Sequence, residues 1–217
     1  MRTEKLNTAR KQILLNKFAF ATRTGFYPGD PHKVNQDSII LTPNILNLDS
    51  MHFFGVCDGH GENGKKVSTM IQNKLPVILE ENLMNLKLDV RTSLENSFIS
   101  WHKTLTQNKR FNTYLSGSTC WTVLLYGNHL YCANWGDSRA IIVSEGDQKN
   151  SIIVKAASRD HKPNEIDEAK RIISKAGRIE PFRDTIGSPI GPQRVWLKYD
   201  DIPGLAMSRS IGDNCAK

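Results

Sequence analysis

A run of apolar residues typical of a buried strand, 53–57, ends directly in the sequence Asp58-Gly59-His60-Gly61. A strand fixes the backbone at its exit, where a carboxylate such as that of Asp58 can ligate a hard divalent cation. Gly59 has no side chain, so its carbonyl can approach the same ion. Histidine has an ordinary pKa of ~6.5, so a side chain of this type at position 60 can donate a proton near neutral pH. An Asp-Gly pair alone is typical of an ordinary turn, but these four residues after a strand favour a site that combines a metal ion with proton transfer.

Other candidate residues stand in short polar segments between apolar runs. Asp37, in V-N-Q-D-S, precedes a strand and could supply a second carboxylate at the same end of a sheet. Asp137, in N-W-G-D-S-R, lies between two predicted strands. Each of these acids alone is typical of a turn. His161, in R-D-H-K-P, is a further candidate, but a loop histidine next to a helix start is more often structural.

The elements that must position these residues fall into separate runs of strands and helices. Apolar, β-branched and aromatic runs predict early strands at 17–23, 38–42 and 51–57. Mixed helical spacing predicts two helices between residues 61 and 105, with a break near 86–89. Further strands are predicted at 118–126, 129–134, 139–144 and 151–157, the first two joined by a Gly127-Asn128 hairpin turn. Separate runs of strands and helices favour an α+β fold.

The clearest helix in the sequence spans residues 164–176. Asn164 can cap its N-terminus, acids crowd its first turn, and bases crowd its last. Gly177 can take the left-handed conformation that ends a helix. The face predicted to meet the core consists of Ile166, Ala169, Ile173 and Ala176.

Composition and charge exclude several classes of protein. The chain has 217 residues, and no apolar run is long enough to span a bilayer, so we expect no membrane segment. The net charge is +7, and residues 1–33 carry seven Lys or Arg against two acids. No basic stretch is interleaved with aromatic residues, so this arm is predicted to be solvated, and we expect no nucleic-acid partner.

Cysteine usage and the N-terminus indicate the compartment. The four cysteines form no C-x-x-C pair, and no His pair stands at zinc spacing. Free thiols of this kind suit a reducing environment. Residues 1–16 lack the apolar core of a secretory signal. We therefore expect a cytoplasmic or nuclear protein.

Six segments, taken in order, resemble the metal-dependent protein serine/threonine phosphatases of type 2C, the PPM family. They are N-Q-D-S (35–38), F-F-G-V-C-D-G-H-G (53–61), S-G-S-T (116–119), A-N-W-G-D-S-R-A (133–140), D-H-K-P (160–163) and L-A-M-S-R-S-I-G-D (205–213). One motif would be a weak signal, but the ordered set across roughly residues 18–213 is specific. The resemblance implies two stacked antiparallel β-sheets flanked by helices.

The resemblance also implies an activity, the hydrolysis of phosphoserine and phosphothreonine in proteins by a water activated by two or three Mg²⁺ or Mn²⁺ ions. Asp58 matches the carboxylate that two metals share, and Gly59 would give its carbonyl to one of them. Asp37 would support that metal, and Asp137 matches the ligand of a further one. His60 matches the catalytic residue that protonates the leaving alkoxide. The implied partners are phosphorylated protein substrates, and we expect a monomer.

The chain departs from the family pattern in three places. Gln36 stands where the family often has an acid. No arginine stands at the usual phosphate-binding offset, so Lys33 or the more distant Arg23 is predicted to bind the substrate phosphate. The family's domain later supplies a second Asp-Gly and a final Asp-Asn, and we expect residues 17–217 to be an incomplete catalytic domain that lacks C-terminal strands. Residues 1–16 are expected to form a flexible or helical basic arm.

Two hypotheses about function follow from the resemblance. In the first, the chain is most of an active metal-dependent phosphatase, and we expect the isolated 217 residues to bind metal weakly and to have low or no activity. In the second, it is a catalytically inactive, phosphatase-like module that binds phosphoproteins.

Overall fold

Short antiparallel strands and two long helices make up most of the structure. A computed structural model describes residues 15–26, 28–87, 89–107, 110–148 and 150–216. The helices are α1 (Gly64–Asn85), α2 (Val90–Thr106) and α3 (Ile166–Ser174). The strands are β1 (Ser38–Thr42), β2 (Met51–Cys57), β3 (Gly59–His60), β4 (Gly117–Ser118), β5 (Cys120–Tyr126), β6 (His129–Trp135), β7 (Ile141–Glu145), β8 (Ile152–Ala157), β9 (Arg178–Arg183), β10 (Pro189–Trp196), β11 (Pro203–Leu205) and β12 (Ile211–Gly212).

The largest sheet holds β1, β2, β5 and β6, in the order β1-β2-β5-β6. Helices α1 and α2 pack on it, and one core joins the strands and the helices. Its fully buried side chains include Ile40, Phe53, Ile71, Leu75, Trp101 and Leu124. Because apolar burial on this scale stabilises a strand from end to end, the exit of β2 at residue 57 is held rigidly.

Two sequence predictions about this region are confirmed. The helical segment breaks where expected, since α1 ends at Asn85 and α2 begins at Val90. Asp89 caps α2, and its carboxylate accepts hydrogen bonds from the Thr92 amide at 3.3 Å and hydroxyl at 2.8 Å. The predicted hairpin also forms, with Tyr126 opposite His129 and Gly127 at a φ of 54°.

The predicted strand at 17–23 is wrong. These residues form no strand, although the ring of Phe18 lies 5.3 Å from that of Phe54 on β2. Alternating side chains favour a strand only when a neighbouring strand supplies hydrogen bonds, and none pairs with this segment. The predicted arm at 1–16 lies outside the described residues except for its last two.

Helix α3 is shorter than predicted, and three details of the prediction are wrong. Glu165, rather than Asn164, occupies the N-cap position, without a capping side-chain hydrogen bond. The left-handed residue at the other end is Ala176, at a φ of 61°, rather than Gly177. Ile166 and Ile173 are exposed, and the buried residues of the helix are Glu168 and Ile172. The helix is therefore rotated relative to the predicted apolar face.

The reason for this rotation is an ion-pair network around Glu168. Its buried carboxylate accepts hydrogen bonds from Arg209 at 2.5 Å and from Arg171 at 2.7 Å. Burial alone would raise the pKa of Glu168, but the bonds from Arg209 and Arg171 outweigh it and lower the pKa to about 2. The network ties α3 to the segment that leads into β12.

Replacing Glu168 with glutamine is expected to lower the free energy of unfolding by about 1–3 kcal/mol at pH 7, because it leaves partly buried arginines unpaired. Since the folded-state pKa of Glu168 lies below its usual value, its contribution is present above pH ~4.5 and is lost as the pH falls towards 2. Urea unfolding at several pH values measures this. Glu180→Gln, which removes a half-exposed partner of Arg178, is the control and should cost at most about 0.5 kcal/mol. An equal loss in both variants would contradict the prediction.

Three smaller antiparallel sheets complete the architecture. They contain β7-β8, β11-β10-β9 and β12-β4-β3. The mixed arrangement of antiparallel sheets with helices agrees with the predicted fold class. No helix in the described part of the chain is both long enough and apolar enough to cross a membrane.

Candidate active site

The three-stranded sheet β12-β4-β3 brings three of the sequence motifs together. Its strands β3, β4 and β12 have two residues each and belong to D-G-H-G, S-G-S-T and S-R-S-I-G-D. His60 lies opposite Gly117, which lies opposite Gly212 on its other side. Motifs that are about 150 residues apart in the chain therefore meet within the width of three strands.

Asp58 occupies the corner between β2 and β3, and Thr119 fixes it from both sides. The Asp58 amide donates to the Thr119 hydroxyl at 2.9 Å, and the Thr119 amide donates to the Asp58 carbonyl at 2.9 Å. The Thr119 hydroxyl also lies 2.7 Å from the hydroxyl of Ser138, next to Asp137. The last residue of S-G-S-T thus links the Asp58 corner to the Asp137 loop, a role that the sequence analysis did not assign.

Asp37 is held by its own segment and by α1. Its amide donates to the Asn35 side chain at 3.0 Å, and Lys65 of α1 donates to its carbonyl at 2.8 Å. The side-chain amide of the preceding residue, Gln36, donates a hydrogen bond to the Gly61 carbonyl at 2.9 Å. Gln36 supplies no charge, but it ties the Asp37 segment to the D-G-H-G turn.

The carboxylate of Asp58 lies among acids. Burial raises the pKa of Asp58 above its ordinary value, and the charges of Asp37 and Asp137 raise it further. The charge of His60 lowers the pKa of Asp58. A raised carboxyl pKa means that ionised Asp58 is disfavoured in the folded chain, and a cation bound beside it would favour the ionised form.

The three carboxylates fit a hard divalent cation, since every donor is an oxygen and a cation would relieve their repulsion. In the described ranges, no group of three or more His, Cys, Asp or Glu side chains converges tightly enough to form a metal cage. Further oxygens, such as the Gly59 carbonyl, would have to complete the coordination. The ligand set predicted from the sequence, Asp37, Asp58, Gly59 and Asp137, stays a prediction.

Gly59 is required for packing as well. A Cβ at this position would lie 2.5 Å from the Gly64 carbonyl oxygen and 2.7 Å from that of Gln36. The backbone of D-G-H-G is therefore pressed against both the start of α1 and the Asp37 segment. Close packing is therefore a second reason for a glycine at this position, besides the approach of its carbonyl to an ion.

Asp137 already has a cationic partner within the chain. The ammonium of Lys162, from D-H-K-P, forms a short ion pair with the carboxylate of Asp137. Both side chains are mostly shielded from solvent, being 34% and 19% exposed. A divalent cation bound by Asp137 would compete with this ammonium group.

Replacing Lys162 with methionine is expected to tighten Mn²⁺ binding about two- to fivefold, because it removes this competing charge and keeps the unbranched side chain at one atom less in length. Calorimetric titration of Mn²⁺ measures the change. Lys155→Met, at an exposed position of β8, is the matched control and should leave the affinity unchanged. Weaker binding in the Lys162 variant would contradict the expectation.

Both residues predicted to bind the phosphate lie at one cavity. A cleft of about 240 Å³ is lined by Lys33 and Arg23 together with Asp37, Gly59 and His60. A cationic wall thus faces the same space as the first carboxylate and the imidazole.

His60 has a partner that the sequence analysis missed. Its Nε2 lies 2.7 Å from Oδ2 of Asp213, the last residue of S-R-S-I-G-D. The pair is separated by 153 positions in the chain. The sequence signal for Asp213 was the S-R-S-I-G-D motif, to which no chemical role had been assigned.

The other candidate histidine has a structural position. Nδ1 of His161 accepts a hydrogen bond from the Gly136 amide at 3.2 Å, so the ring supports the Asp137 loop. Burial lowers the pKa of His161, and the charge of Arg209 lowers it further, which keeps the ring neutral. This agrees with the structural interpretation of that residue.

Comparison with known proteins identifies the family. The family model for Protein phosphatase 2C matches residues 31–217. This chain belongs to the protein phosphatase 2C family. It is 32% identical over 221 residues to probable protein phosphatase 2C 64 of Oryza sativa subsp. japonica, an alignment that covers 100% of this chain and 51% of the relative. It is 34% identical over 199 residues to probable protein phosphatase 2C 34 of Arabidopsis thaliana, covering 85% of this chain and 54% of the relative.

A solved protein phosphatase 2C structure shares the fold. The serine-threonine phosphatase 2C from Toxoplasma gondii superimposes with a TM-score of 0.60 at 18% identity, covering 82% of this chain and 68% of that one. This likeness supports the antiparallel sheets and helices of the protein phosphatase 2C fold. The chain spans about half the length of the curated relatives it matches.

Proposed function

We propose that this chain carries the metal-dependent phosphatase site of its family and hydrolyses phosphoserine and phosphothreonine in proteins. The proposal rests on one observation, a cleft that is lined by Lys33, Arg23, Asp37 and His60 together. Phosphate recognition, metal ligation and proton donation are the three chemical tasks of phosphomonoester hydrolysis, and a residue suited to each lies on this cleft.

The residues divide these tasks as follows. Asp37, Asp58, Gly59 and Asp137 would hold Mg²⁺ or Mn²⁺. A bound divalent ion supplies charge neutralisation at the phosphate and makes a neighbouring water more acidic. The cationic side chain of Lys33 or Arg23 binds and orients the substrate phosphate.

His60 serves the leaving group. Hydrolysis breaks the bond between phosphorus and the serine or threonine oxygen, and that oxygen departs as a strongly basic alkoxide unless it receives a proton. An imidazolium at the cleft wall gives this proton, and water later restores it.

We further propose that the substrates are intracellular phosphoproteins and that the chain acts as a monomer.

Phosphate release from a phosphothreonine peptide tests the proposal. We expect release with Mn²⁺ or Mg²⁺, none after addition of EDTA, and much less from the matched phosphotyrosine peptide. Absence of release with every divalent ion tried, from protein shown to be folded, would contradict the proposal.

One observation favours the alternative of an inactive phosphoprotein-binding module. The ammonium of Lys162 already pairs with the carboxylate of Asp137, so no divalent cation is needed to balance the charge of that carboxylate. Saturable binding of the phosphothreonine peptide in EDTA, with no turnover after Mn²⁺ is added, would favour this second function.

A further inference from the structure

The contact between His60 and Asp213 joins a partly exposed imidazole to an almost fully buried carboxylate. The Asp213 side chain is only 2% exposed, while that of His60 is 22% exposed. Burying a carboxylate costs free energy unless it is paired and hydrogen-bonded. Because a carboxylate accepts but does not donate, Nε2 of His60 must carry the hydrogen that joins them.

The neighbouring residues are shaped to permit this contact. A Cβ on Gly117 would lie 2.3 Å from Asp213 Oδ2 and 2.9 Å from His60 Nε2, so only glycine leaves room for the pair. Asp213 itself has a φ of 47°, in the left-handed region that few residues other than glycine, asparagine and aspartate adopt readily. Its amide donates to the Ser116 carbonyl at 3.0 Å, which fixes this conformation against β4.

A second donor orients the carboxylate. The Ser210 hydroxyl forms a short hydrogen bond to the same Oδ2 atom. The segment before it is anchored in turn, because Arg209 binds the buried Glu168 of α3. The position of the His60 ring is therefore determined through Asp213 by the whole S-R-S-I-G-D segment.

We propose that Asp213 is the positioning residue of His60. It holds the ring through Nε2–H, which leaves Nδ1 as the ring nitrogen that Asp213 does not engage. Nδ1 is buried and has no hydrogen-bond partner among the described residues. The catalytic meaning of this arrangement rests on the proposed function, but the hydrogen bond itself can be tested without any turnover.

Nitrogen-15 NMR of the full 217-residue chain, labelled at histidine, tests the hydrogen bond. We expect the Nε2–H proton of His60 as a slowly exchanging downfield resonance, because a carboxylate acceptor deshields it and burial protects it from water. Loss of the signal in His60→Gln assigns it. Asparagine tolerates the left-handed conformation and has the shape of aspartate, so Asp213→Asn should move this resonance upfield or abolish it. Asp213→Gly, which keeps the backbone conformation without a side chain, should abolish it.

The control is Glu168→Gln, which removes another buried carboxylate that anchors the same segment but does not touch His60. It should keep the resonance while lowering stability. Absence of the resonance in the unaltered chain, its persistence in both Asp213 variants, or equal loss in the Glu168 variant would overturn the proposal.

Turnover provides a second readout that separates this inference from the proposed function. Asp213→Asn should lower kcat for the phosphothreonine peptide at least about tenfold more than for p-nitrophenyl phosphate, whose leaving group needs no proton, with KM little changed. Equal losses on both substrates would overturn the positioning role. If the unaltered chain shows no turnover at all, that result counts against the proposed function, and the NMR result still decides the hydrogen bond.

Discussion

Replacing Asp58 with asparagine is expected to abolish metal-dependent turnover, with a loss of at least ~10³-fold in kcat/KM. The charges of both other acids, Asp37 and Asp137, raise the pKa of Asp58. The loss of a ligand that supplies several kcal/mol of transition-state stabilisation corresponds to a rate factor of this order. Phosphate release from the phosphothreonine peptide with saturating Mn²⁺ measures it.

The same substitution should stabilise the metal-free chain. The pKa of Asp58 is raised by burial and by its acidic neighbours, so its ionisation at neutral pH opposes folding, and this cost appears as the pH rises through the folded-state pKa. Asparagine has no charge to bury. Thermal unfolding in EDTA at pH 7 should therefore show a higher Tm for Asp58→Asn than for the unaltered chain.

Asp30→Asn is the matched control for both readouts. Asp30 is exposed in the turn before Lys33 and accepts a hydrogen bond from the His32 amide. Its substitution should change neither turnover nor Tm appreciably. If Asp58→Asn lowered the Tm in EDTA, the charge-repulsion argument would be wrong. If turnover survived, the assignment of Asp58 as the central ligand would be wrong.

His60→Gln is expected to show a strong dependence on the leaving group. Turnover of the phosphothreonine peptide should fall about 10²- to 10⁴-fold, the usual contribution of a general acid. Turnover of p-nitrophenyl phosphate should fall less than about tenfold, because its leaving group needs no proton. Glutamine is suitable here because its amide can still donate to the buried carboxylate of Asp213.

His161→Gln is the control for this prediction. His161 supports the Asp137 loop through the Gly136 amide, so its loss should lower stability and affect both substrates alike. A uniform loss in His60→Gln as well would mean that His60 contributes to binding or folding rather than to leaving-group protonation.

The parts of the fold that could be predicted from the sequence are those with strong local signals. The break between α1 and α2 coincides with a capping aspartate, Asp89, and the β5–β6 hairpin with a Gly-Asn pair. The D-G-H-G corner was recognisable because an apolar strand leads directly into it. Each of these signals depends on neighbours within a few residues, where sequence pattern and physics agree.

The parts that could not be predicted depend on distant partners. Periodicity placed Ile166 and Ile173 of α3 on the face predicted to meet the core, which did not include Glu168. Glu168 is nevertheless buried, because its carboxylate pairs with Arg209, 41 residues away. The segment 17–23 has strand-like alternation but no strand beside it. Asp213 reaches His60 across 153 residues, and only the register of β12, β4 and β3 brings them together.

For the candidate site, the sequence supplied the residue types but not their connections. Asp37, Lys33, Arg23 and His60 were selected in advance, and the structure places all of them at one cleft. Thr119, Lys162 and Asp213 were missed as partners of Asp58, Asp137 and His60. Their importance lies in hydrogen bonds and ion pairs that form only in the folded chain.

The most direct test of a divalent-metal site at Asp58 is a titration of Mn²⁺ into the 217-residue chain, followed by the relaxation enhancement of water protons. We expect saturable binding by the unaltered protein, loss of that binding in Asp58→Asn, and unchanged binding in Asp30→Asn. Binding that is absent from the unaltered chain, or equal in the chain and in its Asp58 variant, would contradict the account.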